Sequence, residues 1–99
     1  MYIQYVGFSA GHDSRIYNFD VIDAKESRHF TLEVQLEAFQ RLLLTFQDGP
    51  EICYACLKKE LQDETPDARA RAHLNVDQHD VETYLATHRS AKSLGKASH

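Results

Sequence analysis

Polar and apolar positions alternate strictly over residues 28–35, RHFTLEVQ. Phe30, Leu32 and Val34 fall on one face, and His29, Thr31, Glu33 and Gln35 on the other. A period of two predicts a strand with one buried side. Residues 15–22, RIYNFDVI, repeat the pattern: Tyr17, Phe19 and Val21 share a face, with Asn18 and Asp20 opposite. Residues 2–8, YIQYVGF, are rich in aromatic and β-branched side chains, which favour extended backbone. The polar clusters AGHDS (10–14) and DAKES (23–27) separate the three runs. Strand runs with short turns between them predict an antiparallel meander.

The period then lengthens. Leu36, Phe39, Leu43 and Phe46 recur at three and four, which predicts an amphipathic helix over 36–46. QDGP (47–50) breaks it, with Gly49 ending one helix and Pro50 opening the next. The second helix is expected to run to about Gln62, with Ile52, Cys53, Cys56, Leu57 and Leu61 along one side. In 68–76, Ala70, Ala72, Leu74 and Val76 alternate with Arg69, Arg71, His73 and Asn75, which predicts a fourth, half-buried strand. Asp77, with Asp80 three residues on, fits the start of a third helix that buries Val81, Tyr84 and Leu85. The order β-β-β-α-α-β-α predicts an α+β fold. Its antiparallel sheet of about four strands would pack helices on one face. Residues 1–89 form the expected single domain, and 90–99 a disordered tail.

Composition adds bounds. The 99 residues are 42% hydrophobic and 26% charged, ordinary values for one globular domain. The formal net charge is −4. Six basic and eleven acidic groups fall in residues 1–65, against five and four in 66–99. An acidic chain argues against nucleic acid, whose phosphates call for clustered Lys and Arg. No basic, apolar leader and no run of membrane-spanning length is visible, so a cytoplasmic protein with reduced thiols and no membrane contact is expected.

Four stretches invite chemistry. PEICYACLKKEL (50–61) holds the two cysteines as Cys-x-x-Cys. A redox dithiol places its nucleophile at a helix N-terminus. With Pro50 opening the helix, Cys53 is its fourth residue and Cys56 its seventh, both in an apolar stripe. That favours packing. The alternative is a metal- or thiol-dependent protein in which Cys53 and Cys56 join a histidine, His73, His79 or His88. GFSAG (7–11) matches the nucleophile motif Gly-x-Ser-x-Gly, but that motif needs a strand–turn–helix, and here the turn leads to another strand. His12 beside Asp13 could be an acid–base pair, yet both sit in a turn that favours such residues. Arg69, Arg71 and His73 form the candidate binding surface. Three basic or titratable groups on one strand face could hold an anion or a nucleic-acid backbone. The alternative is a solvated row paired with Glu33 across the sheet.

The stretches RIYNFDV, RHFTLEVQLEAF, PEICYACLKKEL and RAHLNVDQHDVETY, spanning 15–85, resemble a group of short bacterial proteins that share a domain of unknown function. The resemblance implies a strand pair leading into a helix, then a closing strand, an acidic residue and a helix. It implies no catalytic residues. The expectation is therefore a bacterial, non-enzymatic accessory or protein-interaction module, without cofactor, that binds a protein partner or associates with itself as a homodimer.

Overall fold

The computed structural model describes the backbone of residues 1–42, 44–45 and 47–97, and the side chains of these as far as residue 87. The elements follow the expected order: β1 (Tyr2–Gly11), β2 (Ser14–Ile22), β3 (Ser27–Gln35), α1 (Leu36–Arg41), α2 (Asp48–Gln62), β4 (His73–Val76) and α3 (Gln78–Ala97). The architecture is α+β, with a four-stranded sheet in the order β1-β2-β3-β4 and three helices.

The β1–β2 loop is only His12 and Asp13, with Asp13 at φ 55°, a conformation Asp accepts more readily than most residues. The β2–β3 turn closes by reciprocal Asp23 and Glu26 backbone bonds. Register sets Tyr17 opposite Leu32 and Phe19 opposite Phe30. The inward faces therefore match, and Tyr17, Phe19, Val21, Phe30, Leu32 and Val34 are all buried. Phe39 of α1, Ile52, Cys53, Leu57 and Leu61 of α2, and Val81 of α3 cover that face.

Two expectations about the fourth strand are corrected. The sheet is mixed, because β4 runs parallel to β3, with Leu32 opposite Leu74 and Val34 opposite Val76. The chain between them is a helical crossover, which returns it to the end of the sheet where β3 began. The strand also covers only His73–Val76 rather than 68–76. Thr65 and Ala68 pair with each other, and the Ala70 amide donates to Glu64 at 2.7 Å. Residues 68–71 are thereby held out of the ladder.

The helix boundaries shift too. α1 stops at Arg41, and Leu43 and Phe46 of the expected stripe lie outside the described residues. α2 begins at Asp48, two residues before Pro50. The Asp48 carboxylate accepts the Thr45 amide at 2.8 Å and its hydroxyl at 3.1 Å, closing the turn that precedes the helix. Pro50 is tolerated because first-turn amides have no intrahelical acceptor. Gly49 lies buried in that first turn. At the start of α3 the expected reciprocal cap is present: Asp80 N–H donates to the Asp77 side chain at 2.8 Å, and Asp77 N–H to Asp80 at 3.2 Å. The backbone of α3 is helical to Ala97, while the side chains of the expected tail and of His88 lie outside the described residues.

Candidate interaction surface

Of the three residues expected to form a binding row, only His73 lies in a strand of the sheet. Arg69 reaches across to the Glu26 carboxylate. Arg71 is exposed and precedes the strand. His73 stands on the polar sheet face, its Nε2 3.2 Å from Glu33 and its Nδ1 2.6 Å from the Thr31 hydroxyl. The expected pairing with Glu33 therefore falls to His73 alone. Ala70, which lies between the two arginines, is half-buried against the core.

Register builds a polar network on that face which the sequence pattern did not reveal. Asp20 lies opposite His29 on neighbouring strands. His29 Nδ1 is 2.8 Å from Asp20 and its Nε2 is 3.2 Å from the Asn18 side-chain oxygen. On the other side, the Ser14 hydroxyl donates to Glu33, which also holds His73. Both imidazoles thus have both ring nitrogens occupied. Nucleophile activation requires the hydroxyl to face the base; here Ser14 faces a carboxylate. The contacts join β2, β3 and β4 across the polar face. Ser9 of the GFSAG motif sits on β1 opposite Ile16, in a strand that continues into a hairpin. His12 and Asp13 are exposed at the hairpin tip, 3.5 Å apart.

The cysteines separate. Cys53 is 0% exposed in the core, and burial pushes its thiol pKa up. Cys56 is half-buried beside α3, and burial, with Asp80 and Asp77 nearby, pushes its thiol up to about 11. A thiolate is the reactive form. Cys53 in native protein is therefore expected to react with a thiol reagent at least about a thousandfold more slowly than in urea, because it must wait for unfolding. Stopped-flow labelling checks this; comparable native and unfolded rates would contradict it. Among the described residues, no three His, Cys, Asp or Glu side chains converge as metal ligands.

The unusual surface is β1. It forms one edge of the sheet, pairs only with β2 and carries no charged residue along its ten positions. Its register slips between Tyr5 and Gly7, a β-bulge, with Gly7 at φ 130°, where only glycine sits without strain. The bulge preserves facing on both sides of itself. Ile3 and Tyr5 meet Val21 and Phe19, and Phe8 meets Tyr17, all on the helix-bearing side. The helices do not reach far enough to cover them. Tyr5 stays 40% exposed, Phe8 54% and the bulge residue Val6 47%. Tyr5 rests 5.3 Å from the Phe19 ring, and the Arg15 guanidinium lies 4.3 Å from the Phe8 ring. Between β1 and the helices runs an open cleft of about 610 Å³, lined by Tyr5, Phe19, Pro50, Tyr54, Lys58 and Tyr84. Tyr84 donates to Glu51 at 2.8 Å; burial and that carboxylate hold its phenol up at about 12. The sequence pattern expected this strand over 2–8 with a turn at 10–14; β1 runs on to Gly11 and β2 starts at Ser14, which leaves only His12 and Asp13 as the loop. Gly7 inside a strand pattern was the available sign of a bulge.

No family model matches the chain, and neither the curated proteins nor the solved structures contain a match. No described helix is long and apolar enough to cross a membrane.

Proposed function

We propose that this protein is a small, non-enzymatic accessory module of the bacterial cytoplasm that works by binding protein along β1. One observation carries the reading. An uncharged ten-residue edge strand, with aromatic side chains overhanging the helix layer, stands open at the side of the sheet. Unpaired edge amides and carbonyls are templates for a further strand, and natural folds usually guard them with charge or cover. Here neither guard is present on the strand. Strand addition supplies main-chain hydrogen bonds, and the adjacent cleft accepts alternate side chains. Arg69 and His73 already engage the carboxylates of Glu26 and Glu33, which favours the β1 edge over the Arg69, Arg71 and His73 row as the binding surface.

The test is photo-crosslinking in cells, with a benzophenone side chain at Val6 or, as control, at Asn75 on the polar face. Protein adducts concentrated at Val6 are expected. Equal or stronger adducts at Asn75 would overturn the reading.

A further inference from the structure

We infer that the occupant of the β1 edge is a second copy of this chain, joined by antiparallel β1–β1 pairing into one eight-stranded sheet. The inference rests on the proposed interaction role of β1 and names its partner. The bulge supplies the argument. Side chains facing the helices are Ile3, Tyr5, Phe8 and Ala10, and those facing away include Gln4 and Ser9. The inward set is symmetric about the bulge. An antiparallel two-fold centred between Val6 and Gly7 therefore sets Ile3 opposite Ala10 of the other copy, Tyr5 opposite Phe8, and Gln4 opposite Ser9. Inward residues meet inward residues along the whole strand. Shifting the pairing by two residues either sets Phe8 against Gly7, which face opposite sides, or shortens the paired stretch from ten residues to eight and sets Tyr5 against the bulge residue Val6; the register centred between Val6 and Gly7 is the longest that conserves facing. The two bulges then meet each other at the axis, and two regular four-residue segments pair on either side.

Charge and apolar exposure agree. No like charges meet along the pair, because β1 has none. Tyr5, Val6 and Phe8 are 40%, 47% and 54% exposed at this edge, and pairing two copies removes apolar surface from water on both. Tyr5–Phe8 contacts across the joint are of the aromatic cross-strand kind that stabilises sheets. The two-fold keeps both helix layers on the same side of the enlarged sheet, and the clefts beside Tyr54 open toward the joint. Closure follows from the isologous geometry: each copy spends its single long edge, and the opposite edge, β4, has only four residues.

The experiment measures mass by light scattering from low micromolar to near-millimolar protein, for the native chain and for Val6→Lys. The mass of two chains is expected for the native protein. Val6→Lys brings two cations together at the axis and is expected to weaken the pair at least about a hundredfold. A second variant, Gln4→Cys with Ser9→Cys in a Cys56→Ser background, tests register without disturbing the core. It is expected to oxidise to a covalent dimer, whereas Tyr2→Cys with Ser9→Cys is expected to stay largely uncrosslinked. A native chain that remains a monomer throughout, or equal crosslinking of the two cysteine pairs, would overturn the inference. A monomer that still gives Val6 adducts to another protein in cells would overturn the second copy and leave the interaction role standing.

Discussion

Gly49→Ala is expected to lower the melting temperature by roughly 10–20 °C, corresponding to about 2–3 kcal/mol in a domain of this size. A Cβ at Gly49 would lie 2.0 Å from the Tyr17 hydroxyl oxygen and 2.3 Å from its ring carbon Cζ. Neither side can yield cheaply. Tyr17 is 1% exposed, with Tyr5 and Phe8 rings at 6.2 Å. α2 is anchored by Ile52, Cys53, Leu57 and Leu61, all in the core. The usual helical gain of Ala over Gly, about 1 kcal/mol, is too small to offset the overlap. Tyr17→Phe gives the control. Its hydroxyl is buried and makes no well-aligned hydrogen bond, with only the Arg15 guanidinium near it, so removing it alone costs little. Combined with Gly49→Ala, it is expected to recover about 1 kcal/mol of the loss, because the two sites share one contact. Thermal melts of the four proteins measure this; additive effects, or a Gly49→Ala protein melting with the native one, would contradict it.

Glu64→Gln carries the second large effect. Arg28 donates to both Glu64 oxygens, at 2.8 and 2.9 Å, and the Ala70 amide donates to the same carboxylate. Arg28 and Glu64 side chains are only 20% and 15% exposed, so water screens the pair weakly. The Arg28 bonds, with help from Ala70 N–H, pull the Glu64 pKa from the ordinary 4.5 down to about 2. Gln keeps the shape and loses the charge. The expected cost at neutral pH is about 2 kcal/mol, mostly because Arg28 loses its nearest carboxylate and keeps only Glu26 at 3.8 Å. Since the folded value lies below the unfolded one, the unfolded chain takes up the proton first as pH falls. The stabilisation is full above about 4.5 and fades as pH drops toward about 2. Native protein is expected to lose this increment over that interval, and Glu64→Gln to lack that part of the slope. Urea titrations at several pH values check it; parallel curves for both proteins would contradict the assignment.

This ion pair also marks where sequence patterning stops. Alternation along one strand says which residues share a face, and it located Tyr17, Phe19 and Val21 and Phe30, Leu32 and Val34 in the core. It says nothing about strand direction, so the parallel run of β4 beside β3 had to come from the crossover. Residues 68–71 alternate as a strand should, yet Glu64 takes the Ala70 amide and Glu26 takes Arg69. Tertiary partners there outweigh a local period. The polar pairs Asp20–His29 and Glu33–His73 join residues nine and forty positions apart, a consequence of register that no local spacing signals. The cysteines were easier, because a helix starting near Pro50 turns Cys53 inward whatever its redox potential. At β1 the strand was legible and its exposure was not. Whether Tyr5 and Phe8 are covered depends on how far α2 extends across the sheet.

The account turns on β1 being an edge that closes on another strand, and hydrogen exchange reads this amide by amide. The β1 amides that do not bond to β2 are expected to exchange rapidly in dilute protein. They are expected to slow in concentrated protein, while β2 and β3 stay unchanged. Rapid exchange of those β1 amides at every concentration, with new protection appearing instead on the face that carries His29 and His73, would contradict it.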